Sequence, residues 1–409
     1  MTSKCILGLL IVFIQFFWSL GVRADEIFES VKRVQNPSEP VNGSREIELK
    51  EMWRLDEESN DPLIGLITDV CLDSSGNICL LDYQMKTILV YNQEGDLLRT
   101  IGREGDGPGE FRRAYNIHTW PGSYIGVTTP EPPRIQLFHK NGNPQRDVFI
   151  AESNADSSLG NPSLRKSMIA DGWIGAEIRY RKYDTDQIRG KRQICTINPD
   201  GSIRNLYFTI DYTVELRKTQ TRYEDELNWP KSRWSLFDDG KICYATGHTD
   251  YTIHICGSDG NEFQVIGRDY ESVKRSSLEK RRAERQFEKE QRFYPNISWV
   301  TSDYHSDIED LYARPDGTLW VQTSMGRWRT PEGACSAYDV FDVNGQFIEH
   351  VYLKAPGDLD NDKIYLLGKT VVIVYDFWDR AYRMGGTMTP ESDKAKDKTT
   401  DALVICFSL

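Results

Sequence analysis

The chain has 409 residues, of which 39% are hydrophobic, 11% aromatic and 27% charged, the composition of a globular protein and not of a disordered one. A formal net charge of -12 opposes general binding to a nucleic-acid backbone. The length suits two or three ordinary domains or one large repetitive one.

In chain order, residues 1–24 come first and stand apart. A short basic start, "MTSK", precedes an apolar stretch from Ile6 to Val22, and "GVRADE" places Val22 and Ala24 at the -3 and -1 positions of a signal-peptidase site. The pattern predicts a secretory signal cleaved after Ala24 and no membrane span afterwards, so the protein is expected to be secreted or periplasmic. An uncleaved anchor is the alternative. Residues 25–44 are expected to be a flexible mature N-terminus. Seven cysteines follow the signal, and none forms a C-x-x-C pair, which argues against a zinc ribbon or a thioredoxin-type site. Most read as small buried side chains.

From residue 45 onward the sequence is periodic. One tight turn recurs as "DSSGN" (73–77), "WPGS" (120–123), "ADGW" (170–173), "DDGK" (238–241) and "PDGT" (315–318). A second recurs as "NQEGD", "KNGN", "NPDGS", "SDGN" and "VNGQ", ending on Gly95, Gly142, Gly201, Gly260 and Gly345 or one residue beyond. Aligned on those glycines, Ile88, Ile135, Ile194, Ile253 and Tyr338 fall in register, with Val90, Leu137, Thr196, Ile255 and Val340 two positions later. That is a period-two strand repeated five times. Each unit reads strand A, turn, strand B, variable connection, strand C, turn, strand D, which is a propeller blade. A sixth unit is split: 363–377 supplies strands A and B, 402–409 strand C, and "IELKEMWRL" (47–55) the fourth strand. The fold expected for 45–409 is therefore an all-β, six-bladed β-propeller of four-stranded blades, closed by an N-terminal strand paired with the C-terminal one.

"GREGDGPGEF" (102–111) holds four glycines, yet a strand and not a helix follows, so it does not read as a phosphate loop. With Gly102, Gly105, Gly107, Gly109 and Phe111, and with the earlier "LDSSGNICLLDY", the sequence resembles the NHL-type six-bladed propellers, and more particularly secreted bacterial six-bladed propeller proteins. The resemblance covers most of 45–409. It implies that Phe111 wedges between blades, and it implies little about activity.

B–C and D–A connections share one face, here called the upper face, and carry most of the extra length: about 103–115, 179–192, 210–232, 267–306, 322–337 and 377–401. The longest contains "ESVKRSSLEKRRAERQFEKEQRFYP" (271–295), with eight basic and five acidic residues, and it reads as a helical insertion between blades four and five. Arginines and aromatic residues recur in these connections, in the manner of binding surfaces. Arg134, His248, Tyr251, Arg327, Trp328, Arg329 and Arg380 are the candidate ligand-binding residues. Asp69, Asn116 and Asp310, near the starts of A strands, are candidate ligands for a calcium ion. Histidines are too few on the upper face for a three-histidine zinc site, and no G-x-S-x-G occurs. Two functions stand against each other. One is an exported non-enzymatic propeller binding a protein, a glycan or a small anionic ligand at its upper mouth. The other is a lactonase-like hydrolase or lyase dependent on a central divalent ion.

Overall fold

The structure, a computed structural model, describes residues 31–56, 63–150, 159–226, 233–358, 361–384 and 402–409. The predicted signal, 1–24, lies outside the described residues. At the ten repeated turns, the glycines from Gly76 to Gly317 and from Gly95 to Gly345 all have φ between +80° and +94°, a region closed to most L-residues. Those turns join the strands of an all-β, six-bladed propeller with few helices.

Three strands come first: β1 (Lys32–Asn36), β2 (Ser44–Glu48) and β3 (Lys50–Asp56). Blade 1 is β4 (Ile67–Leu72), β5 (Ile78–Asp82), β6 (Thr87–Tyr91) and β7 (Leu97–Ile101). Blade 2 is β8 (Asn116–Trp120), β9 (Tyr124–Pro130), β10 (Pro133–His139) and β11 (Val148–Phe149). Blade 3 is β12 (Pro162–Ala170), β13 (Trp173–Tyr183), β14 (Gln187–Ile197) and β15 (Ile203–Glu215). A short strand β16 (Gln220–Tyr223) leads into blade 4, which is β17 (Trp234–Leu236), β18 (Ile242–Tyr244), β19 (Thr252–Cys256) and β20 (Glu262–Arg268). Helix α1 (Ser277–Phe293) and β21 (Ile297–Val300) follow, the latter parallel to β16. Blade 5 is β22 (Ile308–Ala313), β23 (Leu319–Thr323), β24 (Ala334–Phe341) and β25 (Phe347–Lys354), with the one-turn helix α2 (Ser324–Trp328) in its B–C connection. Blade 6 is β26 (Lys363–Leu367), β27 (Thr370–Val374), β28 (Ala402–Ser408) and the early strand β3, with α3 (Phe377–Met384) after β27.

Two elements differ from the sequence reading. Residues 47–55 do not act as one strand: β2 runs parallel to β25 as a fifth strand of blade 5, and only β3 pairs with β28. Residues 32–36, within the stretch expected to be flexible, form β1 against β20. Both strands cover outer blade edges whose amides and carbonyls would otherwise lack partners. Within blade 3, residues 179–192 are mostly strand, so its middle hairpin reaches past its neighbours instead of ending in a loop.

Strands inside a propeller are covered on both faces, so their runs are almost continuously apolar. In β5, Ile78 and Leu80 face blade 6 while Cys79 and Leu81 face blade 2. Among the described residues there are six such clusters, one between each pair of consecutive blades, and Trp53, Leu55, Leu80 and Tyr91 belong to the one shared by blades 6 and 1. Phe111 sits in the cluster of blades 1 and 2, its ring edge-on to Phe138 with centroids 6.3 Å apart. It lies over Gly102, where a Cβ would stand 2.4 Å from the ring. Glu110 secures the same connection by accepting from the Gly107 amide at 2.9 Å and from Arg103 at 2.8 Å.

Candidate functional site

The first strand of each blade lies nearest the propeller axis, and several of these strands carry charged residues. Asp69 on β4, Lys166 on β12, Asp310 on β22 and Lys363 on β26 come from blades 1, 3, 5 and 6, and each carboxylate feels both lysines. In a ring of six, blades 3 and 6 are opposite, so Lys166 and Lys363 approach from opposite walls. Arg327, at the end of α2, joins the same field.

Local contacts hold each group. The Lys363 ammonium donates to the Thr68 carbonyl at 2.8 Å, as does the Tyr365 hydroxyl at 2.6 Å. Lys166 lies 4.9 Å from the Trp234 ring centroid. Arg327 is placed between indoles, 4.9 Å from Trp328 and 5.9 Å from Trp378. The Asp69 carboxylate accepts from the Ile117 amide at 2.8 Å. Burial pushes its pKa up to about 6, against the pull of Lys363 and of that amide. Burial likewise raises Asp310 and lowers Lys363, while Asp69 and Asp310 oppose the shift of the lysine.

On blade 3, basic residues gather further. Arg179 on β13 stands directly opposite Arg192 on β14. Glu177, on the same face of β13, is 4.0 Å from Arg192. Arg165, at a bulge in β12, donates to the Tyr115 hydroxyl at 2.7 Å. Arg181 is held by Tyr183 at 2.9 Å and by Tyr212 at 3.3 Å. Tyr212 reaches it across Gly190, where any Cβ would fall 2.3 Å from the phenol oxygen. Arg179 itself makes no side-chain hydrogen bond or ion pair among the described residues, and its Nε is buried without a partner.

The sequence candidates separate into groups. Arg327 acts on Lys363 and Tyr312 from its place beside Trp328 and Trp378. Trp328 donates to Glu309 at 3.2 Å and stacks on His305 at 4.6 Å, and Arg329 forks onto Glu279 of α1 at 2.8 and 2.9 Å. His248 is tied to the Tyr304 carbonyl at 2.9 Å and to Ser306 at 3.2 Å, beside the same insertion. Arg380 lies on α3, its amide bonded to the Asp376 carbonyl at 3.0 Å. Tyr251 does not line the mouth: it is buried between blades 4 and 5, donating to Asp339 at 2.8 Å. Arg134, on the third strand of blade 2, pairs with Asp147 at 2.9 Å and lines a cavity of about 310 Å³ beneath the glycine connection, two strands away from the channel.

Asp69, Asn116 and Asp310 do not fit together as calcium ligands. Asn116 exchanges both of its amide bonds with the Ser167 backbone, at 2.6 and 3.1 Å. Asp310 takes the Leu311 amide at 2.9 Å and the Tyr312 hydroxyl at 3.2 Å. Lys166 and Lys363 bring positive charge to the space a cation would need. Among the described residues, no group of three or more His, Cys, Asp and Glu side chains is placed to hold a metal ion.

Sequence reasoning missed Lys166, Lys363, Arg165, Arg192 and the lone position of Arg179. For Lys166 and Lys363 the signal was present, as charged residues within the first strands of blades 3 and 6.

No protein-family model matches the chain, and no curated protein does. Among solved structures, it is similar to a candidate exported protein of Bacteroides fragilis NCTC 9343, at 13% identity and TM-score 0.46, over 92% of this chain and 99% of that one. A member of the DUF4221 family from Bacteroides vulgatus gives 9% identity and TM-score 0.46, over 88% and 96% of the two chains. Regucalcin of Agrobacterium tumefaciens, a calcium-binding protein, gives 9% identity and TM-score 0.43, over 91% and 95%. Likenesses this distant carry no argument about activity, and the class of the protein, a six-bladed β-propeller, rests on its own sheets.

Proposed function

We propose that this is an exported, non-enzymatic propeller that binds an anionic group of a protein, a glycan or a small ligand at the upper mouth of its channel. One observation carries the reading: Lys166, Lys363 and Arg327 face two carboxylates from four blades around one opening, on a chain whose net charge is -12. A basic opening on an acidic body draws anions toward it and repels them elsewhere. The signal-like start and the NHL-type blade connection support export and family type. Helix α1 is tied to the B–C connection of blade 5, which carries Arg327, through the bond from Arg329 to Glu279, and this supports a role for the helix beside the site.

The test is calorimetric titration of a chain lacking residues 1–24 with citrate and with glucuronate. Saturable binding is expected, and Lys363→Met with Arg327→Gln should weaken it at least tenfold, since each removes a charge-assisted contact. Unchanged affinity in the double variant, with circular dichroism intact, moves the site elsewhere. A stoichiometric divalent ion in the purified protein would instead favour the hydrolase or lyase.

A further inference from the structure

Beyond the mouth, blade 3 holds a feature that a general preference for anions does not explain. Like charges directly opposite on neighbouring strands repel, and natural sheets avoid them. Here Arg179 and Arg192 occupy such a pair, on the face of blade 3 that turns toward Trp234 of blade 4. Arg165 adds a third guanidinium, and Arg181, held by two phenols, a fourth fixed charge. Glu177 is the carboxylate that faces them from blade 3, at 4.0 Å from Arg192, and burial raises its pKa against the pull of Arg192, Lys166 and Arg165. Burial and the neighbouring arginines lower Arg179 to about 10, against a smaller opposing pull from Tyr212.

We propose that Arg179, with Arg165 and Arg192, forms a subsite for a tetrahedral oxyanion: a sulfate or phosphate monoester carried by the ligand of the channel mouth. This rests on the anion-binding reading given above. A carboxylate offers two oxygens in one plane and suits a single guanidinium fork. A monoester of sulfate or phosphate offers three terminal oxygens that diverge. Three guanidiniums, on β12, β13 and β14, with Arg179 opposite Arg192 and within reach of the charge of Arg165, can supply donors to that shape. Arg179 supplies the unclaimed donors, while Tyr115 holds Arg165 in place for the third oxygen.

The experiment measures thermal stabilisation of a chain lacking residues 1–24 by inorganic sulfate, inorganic phosphate and acetate, at constant ionic strength in sodium chloride. Sulfate or phosphate should stabilise saturably in the millimolar range and acetate should not; whichever of the two binds more tightly names the ester. Arg179→Gln should weaken that binding at least tenfold while leaving the ligand-free protein as stable as before, or more so, because a repulsion has been removed. Equal sulfate and phosphate binding in Arg179→Gln overturns the proposal, and so does a marked loss of ligand-free stability, which would make Arg179 a structural residue. If citrate binds at the mouth through Lys363 and Arg327 but neither tetrahedral anion stabilises the protein, the subsite falls and the mouth stands. If neither class of anion binds, both fall.

Discussion

Asp69 makes the channel's charge depend on pH. With its pKa near 6 in the folded chain, above the usual 3.8, it holds a proton between about pH 4 and 6 that the unfolded chain lacks. Its contribution therefore favours folding as pH falls through 6 and is lost above that pH. The groups around it are Lys363, Lys166, Tyr365 and the amides of Ile117 and Val70. Protonation removes a negative charge beside Lys363, so anion affinity should rise from pH 7.5 to pH 5. Asp69→Asn should raise affinity at pH 7.5 and flatten that dependence, as glucuronate titrations at the two pH values would reveal. The thiols make a second case at this scale. Cys71 and Cys79 stand opposite each other in β4 and β5, and all seven cysteines described are buried thiols. Burial raises Cys195, Cys243, Cys256, Cys335 and Cys406 to about 12, which leaves almost no thiolate at neutral pH. A colorimetric thiol reagent should hardly react with the native chain lacking residues 1–24, and should titrate seven groups once it is denatured. Five would mean that Cys71 and Cys79 are bonded.

Among the elements, α1 depends on one carboxylate. Ser276 and Glu279 form a reciprocal cap, the Ser276 amide donating to Glu279 at 2.7 Å and the Glu279 amide to the Ser276 hydroxyl at 3.2 Å. Glu279 also takes the Arg329 fork and a 3.3 Å contact from His305. Burial would raise its pKa, but the bonds from Arg329, Ser276 and His305 outweigh this and bring it down to about 2. Its stabilisation is thus full above about pH 4.5 and fades as pH falls toward 2. Glu279→Gln should speed amide exchange across 273–305 well before it affects the blades, an outcome that exchange mass spectrometry can read segment by segment. Helix α1 was legible in the sequence because a run without Gly or Pro and rich in Glu, Lys and Arg has few other options. The blade strands were legible because each repeats its apolar spacing before a glycine turn. β1 and β2 were not, since an added edge strand buries one side at most and its sequence, such as "KRVQN", shows no alternation. Lys166 and Lys363 were overlooked for a related reason. A lysine in a strand reads as solvent-facing, and only the closed ring turns that direction into a channel.

For the molecule as a whole, β3 is the strand on which the last blade depends. Trp53 is 7% exposed and stacks on Tyr91 of blade 1 with centroids 5.5 Å apart, so it bridges blades 6 and 1. Trp53→Ala should cost about 3–5 kcal/mol in denaturant unfolding, in line with loss of a large buried ring. A chain beginning at residue 44 should still fold, having lost β1 alone, whereas one beginning at residue 57 should not. Loss of the cooperative transition in the second and its retention in the first, by chemical denaturation, would bear this out.

The pairing of β3 with β28 also sets a clock. As the chain is synthesised, Trp53 emerges long before its partner strand around Cys406. Blades 1 to 5 can collapse in turn from local hairpins, but blade 6 must wait for two segments separated by nearly the whole sequence. Until then Trp53, Leu55 and the facing side of blade 1 stay uncovered. Arrival of β28 is therefore the event that closes the last blade. A propeller stitched in this way leaves its last blade open, and one flank of its first blade bare, until β28 is free to pair with β3.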